Sequence, residues 1–229
     1  MRPLAAMLYC CVGATLGCAS TTTDAPAEDD TALSFHIAAE PGEEHTPEIE
    51  RLTESGPESD DDSERQWLPI HDLVHYVDDE DQLARVAEWL EDSIDGDAPS
   101  ATAARESLVA YFEASRGVVA APYQGRLHLL VSNSPEGSMT PGQGWSVIDA
   151  RRQNELDRPS IVLRFDDRGA ELMSAPSGNH VGRMMAVVID GEVLMSPRIN
   201  TRMAGTISLI GDFSQEEIDA LLRALRGTD

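Results

Sequence analysis

Residues 159–173 read PSIVLRFDDRGAELM, residues 181–199 read VGRMMAVVIDGEVLMSPRI, and residues 205–213 read GTISLIGDF. Ser160 to Phe165 is a strand candidate, and Asp166-Asp167 opens a helix where acids meet its positive end. Met184 to Ile189 is a continuous apolar run, the signature of a strand covered on both faces. Asp190-Gly191 is the strongest turn signal in the chain, because a two-residue hairpin wants positive φ at both positions. Val193 to Met195 returns, and Ser196-Pro197 ends the pairing. Gly205 to Gly211 reads as a further strand. Ser214 and Glu217 then form a capping box. Ile218, Leu221, Leu222 and Leu225 fall at i, i+3, i+4 and i+7 of a final helix. The order strand, helix, strand, strand, strand, helix is α+β. It predicts a small, mostly antiparallel sheet with packed helices, preceded by a helical insertion.

These motifs, in this order and spacing, resemble the head subdomain of the first periplasmic domain of SecD and SecDF. That family shows an aspartate and then a glycine-alanine pair, matched by Asp167, Gly169 and Ala170. Val181-Gly182, the Asp190-Gly191 turn, Pro197, Gly205, Gly211 and Phe213 match its later positions. The resemblance gives these residues structural roles. The family helix continues to an Asn-Val-Gly; here His180 stands before Val181, and Pro176, Ser177 and Gly178 predict an earlier stop. By resemblance the block at 145–229 binds exported or envelope polypeptide through its sheet and hairpin, with the Sec translocon as an implied partner. The family's proton-driven cycle uses charged residues in transmembrane helices. This chain is therefore expected to act as the head without the motor, non-enzymatically and with no cofactor.

The N-terminus reads as an address. Arg2 precedes an apolar stretch from Leu4 to Leu16, about the length of a signal-peptide core and too short to span a bilayer. It ends in Gly17-Cys18-Ala19-Ser20, which resembles a bacterial lipobox with Cys18 as the lipidated residue. An ordinary secretory signal cut nearby is the other reading. The first implies a lipid anchor on the periplasmic side, with the outer membrane favoured by Ala19. The second implies a soluble periplasmic or secreted protein. Cys10, Cys11 and Cys18 are the cysteines, all in this leader, so the mature chain has no disulfide or thiolate chemistry.

Residues 1–18 are thus the leader, and 19–65 an acidic tether with a short alternating run at 33–37 that fits a strand. Glu40 to Glu64 is rich in Glu, Asp, Pro, Gly and Ser and predicts a disordered or loop segment. Residues 66–144 match no familiar pattern. Within them Leu83, Val86, Ala87, Leu90 and Ile94 share one helical face. Ser100 is placed to cap a second helix bearing Ala104, Leu108, Tyr111 and Phe112. Arg126 to Val131 reads as a strand, and 132–144 as a loop.

The sequence has 229 residues with 41 acids against 17 bases, a net charge of −24, and no lysine. That balance argues against a nucleic-acid partner, because phosphate binding needs cationic side chains. His71 and His75 sit four apart; on a helix they would share a face and hold zinc or copper, the alternative function being a metal-binding protein or hydrolase. As surface histidines they would do neither. Met173, Met184, Met185, Met195 and Met203 cluster in the C-terminal block, either as core filling or as an adaptable surface.

Overall fold

Leu33–Ile37 forms a strand (β1) in which all five residues are buried. The computed structural model describes residues 32–42, 45–57, 63–77, 80–94, 98–155, 158–210, 218–219, 221–222 and 225. The leader, Cys18, Gly211, Phe213 and the capping box at Ser214 and Glu217 lie outside the described residues. After β1 come α1 (Thr46–Ser55), β2 (Arg65–Pro69), a 3-10 turn (Leu73–Tyr76), α2 (Glu80–Asp92) and α3 (Pro99–Arg116). Then follow β3 (Ala120–Tyr123), β4 (Arg126–Ser132), the two-residue β5 (Ser138–Met139), β6 (Val147–Glu155) and β7 (Arg158–Phe165). The chain continues with α4 (Asp167–Asn179), β8 (Met185–Ile189), β9 (Glu192–Met195) and β10 (Thr206–Ile210). Ile218, Leu221, Leu222 and Leu225 are helical and pack into the core as the periodicity predicts.

The fold is α+β, but its strands form three sheets where one was expected. Their orders are β5-β1-β8-β9, β10-β7-β6 and β2-β4-β3, and every strand pair is antiparallel. The four-stranded sheet is central. Met185 and Val187 of β8 face one core, with Phe35, Ile161, Leu163 and Met173. Ala186 and Val188 face a second core, with Leu108, Phe112 and Leu129. The unbroken apolar run of β8 therefore has the cause its sequence suggested: both faces are covered. Phe35 packs edge-on against Phe165, with ring centroids 5.7 Å apart.

Three local expectations are corrected. The acidic stretch expected to be a loop contains α1, with Pro47 in its first turn and Leu52 wholly buried. Glu50 and Glu54 stay in water and Glu48 turns in to pair with Arg65, while Ile49 and Leu52, three apart, face the β2-β4-β3 sheet. Second, α3 starts at Pro99, whose missing N–H costs nothing there; Ser100 is not its cap. Third, α4 does not stop before Pro176 but runs on to Asn179. The Ser177 hydroxyl donates to the Met173 carbonyl (2.7 Å) and accepts from the Met203 N–H (2.8 Å). The His180 ring donates from Nδ1 to the Pro176 carbonyl (2.8 Å). These bonds hold a last turn that the helical propensities alone would lose.

The boundary drawn at residue 144 does not divide the packing. β1 lies between β5 and β8, so a strand from the predicted tether sits inside the sheet of the C-terminal block.

Candidate interaction site

α4 is built around the motif residues. The Asp166 side chain caps it, accepting from the Gly169 N–H at 2.7 Å and from the Ser146 hydroxyl at 2.8 Å. The Gly169 N–H first, and then Ser146, hold the Asp166 carboxyl below its ordinary range. A Cβ on Gly169 would lie 2.8 Å from Phe165 Cβ, which explains the glycine. Ala170 approaches Gly205 at the mouth of β10. Asp167 is exposed in the first turn, where its charge suits the helix end.

The hairpin turn is as the sequence demanded: φ is +51° at Asp190 and +81° at Gly191. Its surroundings are not. The Asp190 carboxylate accepts from the Ala32 N–H at 2.9 Å. Glu192 accepts from His71 Nδ1 and from Arg126 Nη2, each at 2.7 Å. The His71 bond and then the Arg126 bond hold the Glu192 carboxyl down. The His71 N–H donates to the Val193 carbonyl, and Ile70 bridges Val193 in parallel. At the far end, Ser196 lies 2.9 Å from the buried Tyr76 hydroxyl, and the Pro197 carbonyl accepts from the Met185 N–H. Burial pushes the Tyr76 hydroxyl up, outweighing its bond to Ser196. Ile70, His71, Tyr76 and Arg126 thus lie along the free edge of β9. The strand edge of the hairpin expected to meet other polypeptides is covered by the chain itself, while Asp190 and Gly191 at its tip stay exposed.

His71 and His75 do not share a helical face. His71 lies in an irregular segment ahead of the 3-10 turn that holds His75, and its ring is committed to Glu192. The side chain of His75 lies outside the described residues. Among the described residues, no group of three or more His, Cys, Asp or Glu is arranged to hold a metal ion. The five methionines are core residues: Met173, Met185 and Met195 are buried, and Met184 and Met203 pack against the two cores.

One open part of the block is the corner after α4; among the described residues Ile148 of β6 is the other large apolar side chain of the block left exposed. Val181 is 54% exposed and Gly182 takes φ +94° beside it. His180 and Arg183 line a cavity of about 280 Å³ whose other walls include Ile37, Glu40, Arg65 and Ser132. Arg183 donates from Nη2 to the Ala38 carbonyl at 3.2 Å, and its Nε lies 3.4 Å from Glu40. Behind this wall His36 is buried in β1. Its Nδ1 donates to the Ser132 carbonyl at 2.9 Å, leaving Nε2 to accept from the Ser34 hydroxyl at 3.0 Å. Burial pulls the His36 imidazole below its ordinary pKa, so the neutral ring fits this network. The cavity joins guanidinium, carboxylate and imidazole groups to the apolar side chains of Ile37 and Ala39.

Residues 138–228 match the family model of the SecDF P1 head subdomain. The head begins seven residues earlier than the sequence reading put it and takes in β5, the strand paired with β1. The chain is 35% identical over 86 residues to the protein translocase subunit SecD of Desulfurispirillum indicum, covering 36% of this chain and 17% of that protein. It is 32% identical over 106 residues to SecD of Rhodothermus marinus, covering 45% of this chain and 17% of that one. The chain therefore matches less than a fifth of the length of these relatives. A solved structure of SecDF, a membrane component that enhances protein export, covers 86% of this chain and 63% of its own, at 16% identity and a TM-score of 0.41. Among the described residues, no helix is long and apolar enough to cross a membrane. The motif residues Asp167, Gly169, Ala170, Val181, Gly182, Asp190, Gly191, Pro197 and Gly205 all lie in the head. Sequence reasoning missed the clasp of His71, Arg126 and Glu192, since three residues this far apart leave no local signal.

Proposed function

We propose that this chain is a non-enzymatic, lipid-anchored envelope protein whose SecD-like head binds unfolded polypeptide, as an accessory to protein export. The observation that supports it is the match of residues 138–228 to the SecDF P1 head subdomain. The corner formed by His180, Val181 and Arg183 is the surface this reading uses. An exposed valine beside a cavity of mixed polarity offers an apolar contact together with donors and acceptors for a peptide main chain. Lipidation at Cys18 would hold the head at the periplasmic face of a membrane, with the Sec translocon within reach. The head would bind passively: capture and release need only a modest affinity, and no charge movement through a membrane.

A labelled unfolded protein, reduced and carboxymethylated, titrated into purified chain tests the reading. Saturable binding that is lost in Val181→Asp, with the fold intact by circular dichroism, is expected. Binding unchanged by that substitution, or absent from the native chain, would contradict it.

A further inference from the structure

α3 has two working faces. Ala101, Ala104, Leu108 and Phe112 are buried on one. Thr102, Arg105, Glu106, Val109, Ala110 and Glu113 fall at i, i+3, i+4, i+7, i+8 and i+11 and make a second stripe. Across from it α1 presents Ile49, Glu50, Thr53 and Glu54, and the two helices enclose a groove of about 630 Å³. Its floor is apolar: half-buried Ile49 and Val109 rest on the cluster of Leu52, Trp67, Val119 and Leu130. Its rim is acidic. Glu50, Glu54, Glu106 and Glu113 form no ion pair among the described residues. Arg105 is turned aside, donating from Nη2 to the Ser93 carbonyl at 2.9 Å.

We propose that this α1–α3 groove is a docking site for a basic amphipathic helix of a partner polypeptide. The apolar stripe of such a helix would cover Ile49 and Val109, and its Lys or Arg residues would face the four rim glutamates. This is helix-in-groove recognition, read as i, i+3, i+4 and i+7 anchors. The α3 stripe from residue 102 to 113 is about 17 Å long at 1.5 Å per residue, so about three helical turns fit. Charge decides the sign of the partner. A chain of net charge −24, with four glutamates around one groove that form no ion pair among the described residues, repels an acidic helix and steers a basic one. Filling the gap between two helices that both pack on the β2-β4-β3 sheet would complete that layer. The groove precedes the head in sequence, so it stands apart from the head's proposed binding corner and does not depend on it.

The probe is a fluorescein-labelled peptide of about 12 residues, built from Leu and Lys at amphipathic helical spacing and titrated into the full chain by anisotropy. Saturable binding that weakens with salt is expected. The Glu50→Gln, Glu54→Gln, Glu106→Gln, Glu113→Gln variant should lose at least about tenfold in affinity, which is about 1.4 kcal/mol. Ala110→Trp, at an exposed position that fills the groove without touching the core, should lose a similar factor. No binding, equal binding by both variants, or equal binding of a scrambled peptide of the same charge would overturn the proposal. So would a gain of about tenfold on removing residues 1–31, since the chain's own N-terminal segment would then be the occupant.

Discussion

The β8–β9 hairpin and the corner at His180 to Arg183 belong to the same head, yet the strand edge of one is covered and the other is open. The hairpin is covered by Ile70, His71, Tyr76 and Arg126, all supplied by the preceding region. The corner keeps Val181 in water beside a cavity. The two carry similar motif content, so motif content does not mark a binding surface. What distinguishes them is which neighbour the rest of the chain places alongside. The hairpin's turn specifies a fold, and the corner is where a partner has room.

Both regions hang on β1, which makes Phe35→Ala the harshest way to break the comparison. Phe35 is buried between Phe165 and β8, and truncating such a ring costs about 3–5 kcal/mol. Urea unfolding followed by tryptophan fluorescence and circular dichroism should show a single shifted transition. Loss confined to the head would mean that the two cores unfold separately. Ser177→Ala strikes the corner alone. It strips the Met203 N–H of its acceptor and the Met173 carbonyl of a donor, with an expected cost of about 1–3 kcal/mol. Faster amide exchange at Met203, with little change at Val193, is the pattern to look for.

A smaller, gradual loss should appear on acidification. Burial lowers the pKa of His36 and also that of His128, so the unfolded chain binds protons more readily than the folded one. The stability they contribute is present above the ordinary histidine value of 6.5 and is lost as pH falls from there through the folded pKa values. Denaturation midpoints measured across that range should fall toward acid. His36→Gln together with His128→Gln should flatten the slope between pH 6.5 and the folded values, whatever it does to the midpoint itself. The mildest expected change is Glu192→Gln. Its partners are half-exposed, so opening the clasp should cost no more than about 1 kcal/mol. It should, however, raise amide exchange at His71 and Val193, and no change there would mean that the backbone contacts alone seal β9.

How much of this was legible in the sequence depends on how local each cause is. The Asp190-Gly191 turn needs only its own backbone, and the apolar run of β8 announces cover on both faces. The Asp166 cap and the tight fit at Gly169 are likewise settled within a few residues. α4's extension was not legible, because Ser177 and Met203 meet only in the folded chain and outweigh the Pro-Ser-Gly stop signal. α1 was hidden by its charge. Its helix has one buried leucine and one partner isoleucine, so composition spoke louder than spacing, though Pro47 in a first turn was a usable start signal. β1 was readable as a strand from its alternation, but not as the centre of a sheet, since that position is set by β8, about 150 residues later. The site shows the same division: the residues that build the head were visible, while the clasp that closes its hairpin was not.

The most direct test places a photo-reactive residue at position 181, or photo-leucine at Leu194 of β9, which leaves Glu192 and its clasp intact, and illuminates each full chain with the same unfolded model protein. Adducts from position 181 and none from position 194 are predicted, because the corner is open and the edge of β9 is covered. Adducts from position 194 alone, or from neither position, would contradict the account.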